Sequence, residues 1–140
     1  MKITKTILDQ MNANSLYHAF GIEIETAVGG RANSSLEPNP DLCWPFSEQP
    51  HGGVLFTLMD TTMAWAVWSQ LDAGYNCTTI NIDIHYILPA KGGHFTCSAW
   101  STHKTGRTSF VRADIRDRKD RLVAKGQATF RIIPFDLLKL

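Results

Sequence analysis

Asp60 is the only charged residue between Gly52 and Gln70, within the run Gly53-Val54-Leu55-Phe56-Thr57-Leu58-Met59-Asp60-Thr61-Thr62-Met63-Ala64-Trp65-Ala66-Val67-Trp68. A helix apolar on nearly every side is expected to be buried. An unpaired carboxylate inside it costs roughly several kcal/mol, on the order of an ion-desolvation penalty. Chemistry is the first candidate for what offsets that cost. A carboxylate so placed can attack a carbonyl carbon directly or draw the proton from a water that attacks. Just upstream, His51-Gly52-Gly53 would leave bare N–H groups at the helix start. Such amides carry partial positive charge and suit a developing oxyanion, and glycine lets a substrate approach the backbone closely. Together these groups describe acyl transfer to water, most easily from an activated ester.

Spacing adds a condition. Gly52 and Asp60 are eight residues apart, about 12 Å along a helix axis. One reacting carbonyl cannot touch both on the same helix. A second copy, antiparallel across a two-fold axis, would bring Asp60 of one chain near Gly52 of the other, so the pairing requires a homo-oligomer. Thr57, Asp60, Thr61 and Ala64 fall on one stripe, continued by Gly53 and Trp68. That small, polar stripe reads either as the wall of a site or as a close-packing face whose threonines bond back to the helix. Both readings can hold together. His51 alone reads more readily as a structural residue than as a proton shuttle. His85 and His103 lack metal-ligand spacing, and no nucleophile elbow, P-loop or dinucleotide fingerprint is present.

The surrounding elements follow from periodicity. Residues 4–19 carry Ile7, Leu8, Met11, Leu16 and Tyr17 at helical spacing, predicting one short amphipathic helix. Residues 21–28 alternate as a half-buried strand. Residues 29–50, rich in Gly, Asn, Ser and Pro, read mostly as loop pinned by Trp44 and Phe46. The buried helix is expected over about 52–70. Then come strands: 79–86 with Ile80, Ile82, Ile84 and Tyr86 on one face, 94–103, 108–116, and 121–133. The expected architecture is α+β, one strand, one buried helix and four consecutive antiparallel strands curled around that helix.

At 140 residues and 15.7 kDa, with 44% hydrophobic residues, the chain fits one domain, 1–140, with residues 1–20 as a helical extension. The net charge of +1 argues neither for nor against a polyanionic partner. Its distribution is uneven: residues 1–72 hold three Lys/Arg against eight Asp/Glu, residues 73–140 eleven against five. The basic half is either the solvent face of strands or a surface for an anionic ligand. Cys43, Cys77 and Cys97 read as reduced structural thiols of a cytoplasmic protein. No leader and no run of about 20 apolar residues is present, so neither export nor a membrane span is expected.

The ordered set of motifs resembles the hotdog-fold acyl-CoA thioesterases of the phenylacetate-pathway type, over about residues 20–133. The resemblance is carried by His51-Gly52-Gly53, Asp60 nine positions after the histidine, Thr78-Thr79-Ile80, Tyr86-Ile87-Leu88-Pro89-Ala90, Gly106-Arg107 and Leu122-Val123-Ala124. It implies a hotdog fold, an antiparallel sheet wrapped around one long helix, and hydrolysis of acyl-CoA to acid and CoA. Asp60 would be nucleophile or general base, the Gly52 amide the oxyanion donor, and Thr78 a holder of the attacking water. His51, Gly53, Thr61 and Gln49 would line the substrate side, and Lys104 and Arg107 would meet the CoA phosphates. The resemblance further implies dimers, often paired into tetramers, no metal and no cofactor beyond the CoA of the substrate. No nucleic-acid partner and no membrane attachment are expected. Family members commonly carry Asn and Gly where this chain has Pro45 and Glu48, so the orienting role of the Asn is either unfilled or passes to Gln49 or Thr61. The rival readings are a non-catalytic acyl-CoA binding module and a hotdog-fold hydratase, whose His–Asp pair is not evident here. Trp44, Phe46, Trp65 and Trp68 are candidates for an acyl pocket or plain core.

Overall fold

The computed structural model describes residues 2–135. Two short helices open the chain, α1 (Lys5–Asn12) and α2 (Ser15–Phe20), followed by strands β1 (Ile22–Val28) and β2 (Arg31–Leu36). After the short α3 (Pro40–Cys43) comes the long α4 (Gly52–Trp68), then β3 (Tyr75–Tyr86), β4 (Phe95–Lys104), β5 (Thr108–Asp117) and β6 (Leu122–Pro134). The six strands form one antiparallel sheet in the order β1-β2-β4-β5-β6-β3. Helix α4 packs across its inner face, which is the hotdog arrangement the sequence predicts.

The core forms where the two periodicities meet. Leu55, Leu58, Met59 and Met63 of α4 are at most 1% exposed; each contributes about 1.5–3 kcal/mol by leaving water. Opposite them the sheet presents Val111, Ala113 and Ile115 of β5 and Ala124, Ala128 and Phe130 of β6, on the faces that period-two alternation assigns. The sheet is built of small residues where the helix comes nearest. At Gly126 a Cβ would stand 2.5 Å from the Met59 sulfur and 2.6 Å from the Asp83 carbonyl oxygen.

Four expectations need correction. First, the segment 29–50, read mostly as loop, holds a strand that this reading misses: β2 runs between β1 and β4. Its polar composition hides an alternating pattern in which Ala32, Ser34 and Leu36 point inward. Ser34 is tolerated there because its hydroxyl meets that of Thr62 at 2.5 Å, while Thr62 donates to the Leu58 carbonyl at 2.6 Å. Second, the N-terminal helix is two helices. Asn14 accepts the Tyr17 N–H at 3.0 Å and so caps a new helix. Asn12 then ties α1 to the edge strand β1 through both its donor and its acceptor at Ile24. Third, the last four strands are not a simple meander, since β3 crosses to the far edge and pairs with β6. Fourth, a bulge between Thr79 and Asn81 reverses the parity of β3. Ile80 is therefore 58% exposed, while Ile82 and Ile84 pack on the core.

Helix α4 is not covered all round either. Phe56 is exposed, and Thr57, Asp60, Thr61, Ala64 and Trp68 are half-buried, along the small polar stripe. The neighbouring edge strand β3 has no strand partner on its outer side among the described residues.

Candidate active site

The site has two halves on one helix. At the start of α4, His51 is the N-cap: its Nδ1 accepts the Gly53 N–H at 2.8 Å. An accepting Nδ1 puts the proton of the neutral ring on Nε2. The Gly53 amide is thus spent on the cap, and His51 has the structural role that the sequence favours. The Gly52 N–H, by contrast, has no acceptor among the described residues. Tyr86, the last residue of β3, donates its hydroxyl to the Gly52 carbonyl at 2.7 Å. Burial pushes the Tyr86 hydroxyl above its ordinary pKa, so it remains a donor.

The approach to that helix start is fixed by backbone bonds. His51 donates to the Cys43 carbonyl at 2.8 Å, Gln49 to the Phe46 carbonyl at 3.1 Å, and Gly92 to the Glu48 carbonyl at 2.9 Å. Glu48 occupies the left-handed region at φ +58°, which glycine adopts freely and which costs a Cβ-bearing residue about 1–2 kcal/mol. Glu48, Gln49 and Phe46 are all exposed.

The other half is Asp60, two turns further along. Its Oδ1 accepts the Thr79 hydroxyl at 2.8 Å. Asp60 is therefore half-buried and hydrogen-bonded rather than buried and unpaired. Its charge is felt nearby. The Cys77 thiol is pushed up to about 12, by burial first and by Asp60 second. The Tyr17 hydroxyl is raised, mainly by burial and further by Asp60, against the lowering effect of the Trp65 N–H it accepts at 2.9 Å. Trp65 in turn stands edge-on to Trp68, with ring centroids 4.7 Å apart. These aromatics, with Cys77 bonded to the Ala64 carbonyl at 3.7 Å, wall the region beside the carboxylate.

Of the residues singled out from sequence, the structure brings His51, Gly52 and Gly53 together at the helix start with Gln49 just before them. It places Asp60 and Thr61 about 12 Å further along the axis. Thr61 makes no side-chain hydrogen bond among the described residues, whereas Thr57 bonds back to the Gly53 carbonyl at 2.9 Å. Thr78 is not beside Asp60. It pairs with Arg131 in the sheet and faces away, while its neighbours Cys77 and Thr79 face the helix. Regular alternation from Ile82 and Ile84 would turn Thr78 inward and Thr79 outward; the bulge between Thr79 and Asn81 reverses that assignment. Lys104 and Arg107 do come together, lining a cleft of about 430 Å³ with Arg131, Asp72 and Tyr75 beyond the C-terminal end of α4. Arg131 and Tyr17 escaped the sequence reading, the second because it sits in a segment taken for a mere extension. Among the described residues no group of three His, Cys, Asp or Glu side chains is arranged to hold a metal ion. No helix among them is long and apolar enough to cross a membrane.

Comparison with known proteins places this geometry in context. Residues 51–124 match the model of the Thioesterase superfamily. A Halobacterium salinarum protein named, provisionally, as an esterase is 28% identical over 139 residues, covering 93% of this chain and 92% of its own. The thioesterase HI1161 of Haemophilus influenzae superposes with a TM-score of 0.87 at 23% identity, covering 96% of this chain and 93% of that one. The Escherichia coli PaaI protein of the phenylacetic acid degradation operon superposes with a TM-score of 0.80 at 23% identity, covering 91% and 90%. At these identities the two structures speak for the fold.

Proposed function

The chain belongs to the thioesterase superfamily, and from that premise we propose that it hydrolyses acyl-CoA thioesters to the free acid and CoA. The observation that carries the proposal is a division of labour on α4. Asp60 is held by Thr79 on the uncovered stripe, while Gly52 keeps an unspent N–H at the helix start. The two meet only across a two-fold axis, so the working unit is a homodimer. Placing Asp60 opposite the partner's Gly52 sets the axis level with residue 56, where Phe56 is 36% exposed. The unpaired edge of β3 lies beside that stripe and suits pairing with its own copy.

In the reaction the thioester carbonyl oxygen takes the Gly52 N–H of one protomer, which stabilises the oxyanion as it forms. Asp60 of the other protomer uses the oxygen not bonded to Thr79. As general base it takes a proton from water; the resulting hydroxide adds to the carbonyl carbon. Collapse breaks the C–S bond, and the thiolate leaves as CoA–SH with the proton Asp60 held. As nucleophile it adds to the carbon itself, expels the thiolate, and the mixed anhydride is then hydrolysed. Lys104 and Arg107, joined by Arg131, supply positive charge for the CoA phosphates. Trp65 and Trp68, with Tyr17 and the partner's Trp44 and Phe46, are the proposed acyl-pocket walls; Gln49, Thr61, His51 and Gly53 border the reacting group.

A second reading, a non-catalytic acyl-CoA binding module, is favoured by one feature: Pro45 and the strained Glu48 stand where the family resemblance implies Asn and Gly before the histidine. A thiol-release assay over short, branched, long and aryl-acetyl CoA esters, with Asp60→Asn beside the wild type, separates the two. Turnover that Asp60→Asn abolishes supports hydrolysis. Tight ester binding without thiol release would overturn it in favour of the binding module.

A further inference from the structure

We propose that Tyr86 is a positioning residue for the oxyanion donor, and that β3 fixes both halves of the site through its two contacts with α4. The inference rests on the thioesterase reading above, because it assigns Tyr86 its consequence through the Gly52 amide.

Tyr86 holds Gly52 from two sides. Its hydroxyl donates to the Gly52 carbonyl at 2.7 Å. Its ring stands where a side chain at position 52 would go, since a Cβ there would lie 3.2–3.4 Å from the ring and the hydroxyl oxygen. The carbonyl of the first helical residue already receives an N–H from one turn further on, so satisfying a stranded acceptor does not require the tyrosine. The bond instead fixes the plane of the 52–53 peptide. His51 fixes the other side of that peptide through the Gly53 N–H. With both groups of the 52–53 peptide engaged, the one donor of this turn left to a ligand is the Gly52 N–H, and its direction is set by its neighbours. Oxyanion stabilisation depends on such pre-set aim, because a donor that must reorient during reaction loses much of its effect.

The same strand holds the carboxylate, through Thr79 and Asp60. Where β3 pairs with its copy, the partner's Gly52 and this chain's Asp60 are both referenced to one continuous β-ribbon. Their separation across the axis is then set by strand geometry rather than by the loops before α4.

The test is Tyr86→Phe, which keeps the ring and removes one oxygen. The expected result is a kcat lower by about tenfold with KM within about twofold and thermal stability close to wild type. Amide hydrogen exchange at Gly53, measured by NMR on the whole protein, should accelerate by about tenfold as the first turn loosens. A wild-type protein that turns over beside a Phe variant with unchanged kcat would overturn the proposal. If no ester is turned over by the wild type, the hydrolysis reading fails, and exchange alone decides here: faster exchange at Gly53 supports the positioning role, and unchanged exchange overturns it.

Discussion

Two faces of α4 do different work with residues one or two positions apart. The inner face carries Leu55, Leu58, Met59 and Met63, all buried against small residues of the sheet. The outer stripe carries Gly53, Thr57, Asp60, Thr61 and Ala64 and lies half open in the single chain. The inner face sets stability through apolar area removed from water. The outer stripe contributes little area but holds the polar groups on which the proposed chemistry depends. The lesson is that a low-amphipathicity helix need not be uniformly buried; here it has a sheet on one side and, on the account given above, a second copy of itself on the other.

Substitutions on the two faces should therefore separate activity from stability. The largest expected effect is on the stripe: Asp60→Asn should lower kcat by about 10²–10⁴-fold while thermal and urea unfolding remain close to wild type. Leu58→Ala, two residues away on the inner face, should show the reverse, a loss of about 2–5 kcal/mol of stability seen as a lower urea midpoint, with kcat per folded molecule preserved. Thr79→Val removes the hydroxyl that orients Asp60 and should reduce kcat by about 10–100-fold. Thr78→Val, one residue away and facing outward, should leave kcat near wild type; equal losses in steady-state assays of the two would refute the placement. The smallest effect is expected at the loop before the helix. Glu48→Gly relieves a left-handed residue at φ +58° and should raise stability by about 1 kcal/mol, the strain relieved exceeding the entropy that glycine adds to the unfolded chain. Calorimetry reads that gain directly.

How far the sequence reveals this arrangement differs by element. The inner faces of β5 and β6 are legible because Val111, Ala113, Ile115 and Ala124, Ala128, Phe130 follow period two without interruption. Strand β2 is not, because Asn33, Ser34 and Ser35 have the composition of a loop, and only the buried Ser34–Thr62 hydrogen bond makes Ser34 acceptable inside. The parity of β3 is lost at Ile80, since a one-residue bulge leaves no mark in an apparently regular alternation. In the site, Asp60 and Gly52 stand out through chemistry at odds with their surroundings. Thr79 and Tyr86 do not, because each looks like an ordinary strand residue until the long-range contact with α4 is known. Lys104 and Arg107 share a turn and are easily paired; Arg131 joins them only through sheet pairing.

The central claim, that one site draws Asp60 from one chain and the Gly52 amide from another, is tested most directly by complementation between two inactive variants. Gly52→Pro removes that N–H and adds a Cβ that would stand 3.2–3.4 Å from Tyr86, so thermal unfolding first establishes that the variant folds. Gly52 is the first helical residue, where proline fits, and His51 at φ −58° and ψ 141° already has the extended backbone that must precede a proline. Asp60→Asn and Gly52→Pro should each be inactive as homodimers. Co-refolded in equal amounts, they form heterodimers holding one intact and one doubly altered site. Recovery of roughly a quarter of wild-type turnover is expected for random pairing of the two chains. Heterodimers demonstrated by mass, with no turnover above that of the parents, would contradict it.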